Sequence, residues 1–454
     1  MTIQSADRAG TALGEQPESP AAGPVPPGEP SRPMYLWCLL GVVVFNVFSG
    51  HWDAFHLPLG LDRVFFGVGV VLLALDPWAW QRTRLRFRPI HVAMIALLLV
   101  AVLSAAAHST LLNPYGLFAL LDRIFVPFLL FCVAPVVFNT PERRDLLLRT
   151  LVLLGLYLGV TALLETLHAY SLLFPSYIGD PDVGIQYGRA RGPFVASEAM
   201  GLACAACAFA GAAAATRFRG WWRALSVLVV LLCLAGVVGC LTRSVWVGTA
   251  LGAVVAMAGI RRTRRLLPLA LVVGALLVMA MLAFVPGLRE TAGERAGTTN
   301  SVLDRQNTNA AALRIVDAEP LTGVGWVRFI EVSHDWVRQA DTYPITNVNI
   351  EVHNVVLSRA AELGVPGAAA FVACVLLGPV RALVQRRRPE DAPDLVTWRA
   401  VASGVTIGWC VAIMLSPMPY PLPNSLTWMM AGIALIPYLT RAQDRDRTDR
   451  PAAR

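Results

Sequence analysis

The chain has 454 residues, 56% hydrophobic and 15% charged, with a mean hydropathy of +0.57. Soluble domains carry about 25% charged residues, so the composition excludes a soluble globular enzyme and points to an all-α integral membrane protein. All 38 basic residues are arginine, and although the formal net charge is +8 they cluster in short loops between apolar runs. That spacing marks membrane topology and excludes a nucleic-acid-binding surface.

In chain order, residues 1–33 are rich in Pro, Gly, Ala and Ser without an apolar run, which predicts a disordered cytoplasmic N-terminal tail and no cleavable signal peptide. Apolar runs follow at 34–50, 61–78, 89–107, 116–138, 146–168, 196–215, 222–240, 243–260, 265–285, 365–384, 397–416 and 425–440. A span needs about 20 apolar residues, so these predict about 12 transmembrane helices: 1–9 within 34–285 and 10–12 within 353–440. Alternate connections are arginine-rich, as in QRTRLRFR (81–88), PERRDLLLR (141–149), TRFRGWWR (216–223), RRTRR (261–265) and QRRRPED (385–391). By the positive-inside rule these are cytoplasmic, as are both termini, including the tail 441–454. The longest polar stretch, 286–352 between helices 9 and 10, is then an extracytoplasmic loop, and ATP and nucleotide-sugars are excluded as direct substrates.

Against this apolar background a few polar groups on the outer side stand out. His353 and Asn354, with Glu362 nine residues after the histidine, either cap and solvate a helix start or form a site in which the imidazole takes a proton from a hydroxyl. Arg243 sits in a tight turn between two apolar runs with no acid close in sequence, where a charge is either functional or an interfacial anchor. Arg189 and Arg191, two apart before the sixth span, either meet one anion or belong to a solvated loop. Arg305 and Arg314 are nine apart, so on a helix they point to different faces and at most one enters a common site. Asp62-Arg63 and Asp122-Arg123, each in an L-D-R motif, read as local ion pairs anchoring helix ends. The eight cysteines lie almost entirely in apolar segments; the lone C-x-x-C at Cys204 and Cys207 lacks a second pair or a histidine cluster and implies neither metal nor disulfide.

HNVVLSRAAELGVPG (353–367) resembles the H-N-x-x-L…E-x-G-x-x-G signature of the O-antigen ligase and Wzy-type polymerase superfamily. LTRSVWVGTALG is similar to its S-R-x-x-W-x-G turn, with Thr242 in place of Ser. DRQNTNAALRIVDAEPLTGVGW resembles its R…A-L…P-L-x-G-V-G element through Arg305 and Pro320. GRARGPFVASEAMG resembles G-R-A-x-G-P-F-x-x-P-N-x-x-G, with Arg189 in register and Ser197-Glu198 in place of Pro-Asn.

The resemblance covers roughly residues 180–440. It implies a metal-independent, inverting glycosyltransferase without cofactors, acting at the outer face of the cytoplasmic membrane. Its donor would be a glycan on undecaprenyl diphosphate, and its acceptor lipid A–core or another glycan. His353 and Arg243 would be catalytic, with Arg189, Arg191, Arg305, Asn354 and Glu362 binding substrate. A Wzy-type polymerase shares these motifs, and a transporter or flippase for an anionic lipid-linked substrate is the competing class.

Overall fold

A computed structural model describes residues 32–259, 261–284, 300–338, 350–385 and 392–440. The two predicted tails (apart from Arg32 and Pro33), Asn349 and parts of the 286–352 loop lie outside the described residues. Each of the twelve apolar runs carries a helix. In chain order these are α1 (Met34–Phe45), α2 (Leu61–Ala74), α3 (Pro89–Ala107), α4 (Pro114–Val137), α5 (Pro141–Thr166) and α6 (Ser197–Arg217). After them come α7 (Trp221–Gly239), α8 (Arg243–Ala258) and α9 (Leu267–Phe284), and then two helices inside the long polar stretch, α10 (Asn300–Ala318) and α11 (Phe329–Trp336). The last three are α12 (Val355–Leu377), α13 (Pro393–Leu415) and α14 (Pro421–Ala434). Proline opens α3, α4, α5, α13 and α14, where its missing N–H has no intrahelical role.

Seven of the described helices are long and apolar enough to cross a membrane: α3, α4, α5, α6, α7, α12 with its short continuation to Val384, and α13. On α3 the residues Val92, Ile95, Leu99 and Leu103 are 50–67% exposed along one stripe. An aqueous protein rarely shows so continuous an apolar face; hydrocarbon makes it favourable. The protein is a multi-pass membrane protein whose described residues form helices and no named strand.

Glycines set one close crossing. Gly248 and Gly252 of α8 lie on Gly404 and Gly408 of α13, where a Cβ on Gly252 would stand 2.5 Å from Gly404 O. Small residues at such a spacing let helix backbones approach where no hydrophobic drive separates protein from lipid. Aromatic packing fills the interior beside them: Trp428 meets Phe128 edge-on at 4.8 Å and Trp409 at 6.3 Å.

The bundle has two polar ends. At one, the starts of α5 and α13 are joined by Arg144, which holds Asp394 through Nε (2.6 Å) and Nη2 (3.1 Å). At the opposite end gather the starts of α6, α8 and α12, the loops before them, and α10.

Two sequence expectations change at this opposite end. The tenth apolar run begins at 365 in the sequence, yet its helix begins at Val355 because Asn354 caps it, accepting from Leu357 N at 3.0 Å. A break at Gly364 (φ 71°) divides the polar first turns from the apolar remainder. The L-D-R motifs also pair across elements and not within themselves. Asn46 donates to Asp62 (3.0 Å), Arg63 binds Asp122 (3.0 Å), and Arg123 binds Glu351 (2.6 Å). Adjacent residues on a helix face different directions, so an i,i+1 pair cannot close.

Candidate active site

The motif end is assembled by main-chain docking. Residues Gly323 to Gly325 of the P-L-x-G-V-G loop lie along the first turns of α12: Val324 N donates to Ala361 O (2.9 Å) and Gly325 N to Glu362 O (3.0 Å). In return Val365 N donates to Pro320 O at 2.7 Å. Side chains are excluded from this seam. A Cβ on Gly323 would stand 2.5 Å from Ala361 O, and one on Gly364 2.4 Å from Leu321 O. The next residue, Trp326, is fully buried and anchors the loop to the bundle through Ser104 Oγ (3.1 Å) and Gly116 O (3.0 Å). Two motifs that are separate in sequence are therefore one structural unit.

That unit carries His353. Its Nδ1 lies 3.0 Å from Glu351 O, and a proton on Nδ1 pointing to that carbonyl leaves Nε2 as the acceptor. Glu351 is itself fixed, since Arg123 grips both carboxylate oxygens (2.6 and 3.3 Å) and the Tyr115 hydroxyl donates at 2.7 Å. Burial pushes the Glu351 carboxyl up, but Arg123 and Tyr115 outweigh it and hold it below the usual carboxylate value. Arg123 comes from a π-helical turn, Leu121–Phe125, that interrupts α4; such turns often mark functional positions. Burial and the nearby Arg305 both lower the His353 pKa, so the imidazole is neutral at neutral pH and open to accept a proton.

Arg305 is the meeting point. Its Nε is buried without a hydrogen-bond partner. Burial lowers its pKa, Arg243 pushes the same way, and Glu198 opposes both. The electrostatic links thus join α10, α8, α6 and the start of α12. Arg243, first residue of α8, is exposed and has neither ion pair nor hydrogen bond among the described residues. Arg314 turns elsewhere, donating to Trp336 O at 2.6 Å, as its helical spacing from Arg305 requires.

The loop with Arg189 lies next to the Arg243 turn. Ala190 N donates to Gly239 O (3.0 Å), and Ser197 Oγ lies 3.3 Å from Thr242 Oγ1. Glu165 holds this loop from beneath, accepting from Gly192 N at 2.7 Å and Arg191 N at 3.4 Å. Arg189 is half-buried at its edge. Arg191 is buried, and its guanidinium donates to the carbonyls of Val183, Asp180 and Ile178.

Of the residues singled out in the sequence, the fold gathers His353, Arg243 and Arg305, with the Arg189 loop beside them. Arg191 faces its own loop, Asn354 caps α12, and Glu362 binds Arg359 at 2.7 Å while that guanidinium lies over the Trp326 ring at 4.6 Å. Sequence reasoning gave no site role to Glu351, Arg123, Tyr115 or Glu198, although Arg123 stands in an L-D-R motif, Glu351 lies two residues before the histidine, and Glu198 departs from the family pattern.

Residues 228–372 match a family model described as O-antigen ligase. This chain carries an O-antigen ligase domain. The matched segment contains Arg243, Arg305, His353 and Glu362 and supports the O-antigen ligase and Wzy-type polymerase superfamily. That family implies a glycosyltransferase-like membrane enzyme. No curated protein matches the chain.

Proposed function

We propose that the protein transfers a glycan from undecaprenyl diphosphate to an acceptor hydroxyl at the outer face of the cytoplasmic membrane, as an O-antigen ligase. The observation that carries this reading is a pair of arginines, Arg243 and Arg305, that have no acidic partner in hydrogen-bond contact among the described residues and lie next to a neutral histidine with a fixed ring. Guanidinium groups bind phosphate oxygens through paired hydrogen bonds and keep their charge at any working pH. In this reading Arg243, Arg305 and Arg189 hold the diphosphate and neutralise the charge it gains as the leaving group, the task a metal performs elsewhere. His353 Nε2 takes the acceptor's proton, and the acceptor oxygen attacks the anomeric carbon from the face opposite the diphosphate. The C–O bond to phosphate breaks, the bonding pair leaves with undecaprenyl diphosphate, and configuration inverts. Arg191, Asn354 and Glu362 shape the site: the first orders the Arg189 loop, the second caps α12 behind His353, and the third steadies the docked glycine loop.

The topology belongs to the same proposal. All twelve apolar helices cross, both termini are cytoplasmic, residues 34–285 carry helices 1–9 and 353–440 helices 10–12. The 286–352 segment is then extracytoplasmic and contributes part of the site. The arginine-rich connections support this orientation.

The test is glycan transfer by the purified full chain in liposomes, with an undecaprenyl-diphosphate-linked glycan as donor. Product on lipid A–core supports the ligase, and product on a second lipid-linked glycan makes the enzyme a polymerase. Transfer to neither, with donor moved across the bilayer, overturns the reading in favour of a transporter. Separately, a reporter active only outside the cytoplasm should be active when fused within 290–345 and silent after Arg388.

A further inference from the structure

Glu198 departs from the family pattern and sits where a carboxylate is least expected, behind an anion site. It is the second residue of α6 and only 7% exposed. A first-turn acid is ordinarily satisfied by its own helix, but Glu198 is held by three other groups. Ser244 Oγ donates to Oε1 at 2.9 Å; Ser416 Oγ and the Tyr420 hydroxyl donate to Oε2 at 2.5 and 3.3 Å. An ionised carboxylate only accepts, so three converging O–H donors favour its charge against the burial that opposes it.

These donors come from the residue after Arg243, from the end of α13 and from the loop before α14, so Glu198 joins the elements around the arginines. None of these three hydrogen bonds comes from an arginine. Its charge reaches Arg305 through space and opposes the effect of Arg243 on it. A carboxylate in a direct ion pair would block the guanidinium. One held back by hydroxyls leaves the guanidinium open to an incoming anion while repelling that anion at longer range.

We propose that Glu198 is the counter-charge of this arginine site, weakening its grip on a diphosphate so that the polyprenyl-diphosphate product leaves. This rests on the diphosphate reading above. Without it, unopposed arginines would hold the product, and turnover would be limited by release.

The proposal predicts the opposite sign from a structural role. Binding of farnesyl diphosphate, a short-chain probe of the leaving group, is measured on the detergent-solubilised full chain. Glu198→Gln keeps the shape and removes the charge, and removing one nearby like charge should tighten the probe on the order of tenfold. KM for donor and kcat should fall together. Glu198→Asn, the residue of the family motif, should act in the same direction, and Glu198→Asp should return towards wild-type affinity. Unchanged or weaker binding in both Gln and Asn variants, with thermal unfolding equal to wild type, overturns the proposal. So does loss of folding in both neutral variants with Glu198→Asp intact, because that makes the carboxylate structural. The diphosphate reading fails separately: wild type then does not bind the probe, or Arg305→Gln binds it as well as wild type does. Either result removes the basis for the counter-charge as well.

Discussion

Arg144 and Arg243 stand at opposite ends of the bundle, each near the start of an apolar helix, and differ in what surrounds them. At one end Arg144 is 1% exposed and fully engaged, with Asp394 on two sides of its fork and the carbonyls of Phe138 (3.0 Å) and Asn139 (2.9 Å) on Nη1. Beside it Arg217 binds Asp145 at 3.0 Å. At the other end Arg243 is exposed without a partner among the described residues, and Arg305 has a buried, unpartnered Nε. An arginine with its own carboxylate serves the scaffold; in the proposed function, one left open next to the histidine receives an anion that the protein does not supply. The same open end also holds paired arginines, Arg123 with Glu351 and Arg359 with Glu362, and these lie behind the histidine and fix its surroundings.

Mutations at the two ends should therefore fail in different ways. The largest effect on rate is expected for His353→Ala, which removes the proton acceptor; general-base groups contribute about 10²–10⁴-fold. Transfer should fall by that factor while the amount of membrane-inserted protein, read by immunoblot, stays level. Near-normal transfer would reduce His353 to part of a helix cap.

Next comes the open pair. Arg243→Lys keeps the charge and loses the fork, and should cost on the order of a hundredfold in transfer, with Arg243→Ala and Arg305→Ala lower still. In the same assay EDTA should leave the wild-type rate unchanged. Strong EDTA inhibition with full activity in Arg243→Lys would assign the diphosphate charge to a cation and leave Arg243 as an interfacial anchor.

A smaller change is expected one step behind the histidine. Glu351→Gln loses the charged half of its contact with Arg123, so the carbonyl that orients His353 is less well fixed. We expect about a tenfold fall in kcat with KM nearly constant, since misorientation of a base costs less than its loss. A change confined to KM would place Glu351 in acceptor binding instead.

The pH profile shows a subtler effect. A lowered His353 pKa means that the imidazole stays unprotonated to lower pH, so the acid limb of kcat/KM should fall below the ordinary histidine value of 6.5. Burial is the larger cause and Arg305 the next. Arg305→Gln removes one lowering charge, and its residual activity should show the limb moved up. A limb that stays in place would uncouple the two residues.

Smallest on rate is Arg144→Ala at the paired end. Breaking a buried ion pair by removing one partner costs about 3–5 kcal/mol of stability. The variant should unfold at lower temperature, while kcat per folded molecule stays near wild type. A specific loss of kcat there would erase the distinction between the two ends.

Much of this was legible in the residues themselves. Arg243, Arg305 and His353 stand in recognisable spacings, and the fold brings them to one place. The α12 boundary was legible only in part: hydropathy alone starts the tenth run at 365, while Asn354 offered itself as a helix cap, and the structure decides for the cap with the glycine loop docked on the turns that follow. Nor was the Gly248/Gly252 contact with Gly404/Gly408 foreseen, because each glycine pair alone gives no hint of its partner.

The sequence by itself determined the membrane class, the positions of the apolar helices and the residues that match the family. Hydropathy and motif spacing are properties of neighbouring residues, and a window of about 20 contains them. The tertiary structure alone decided which charges are matched and which are open. Arg144 meets a partner 250 positions away, Arg123 one 228 away, and Glu198 a hydroxyl 218 away. In a low-dielectric interior such pairings outweigh any local preference, and the chain must fold before they exist.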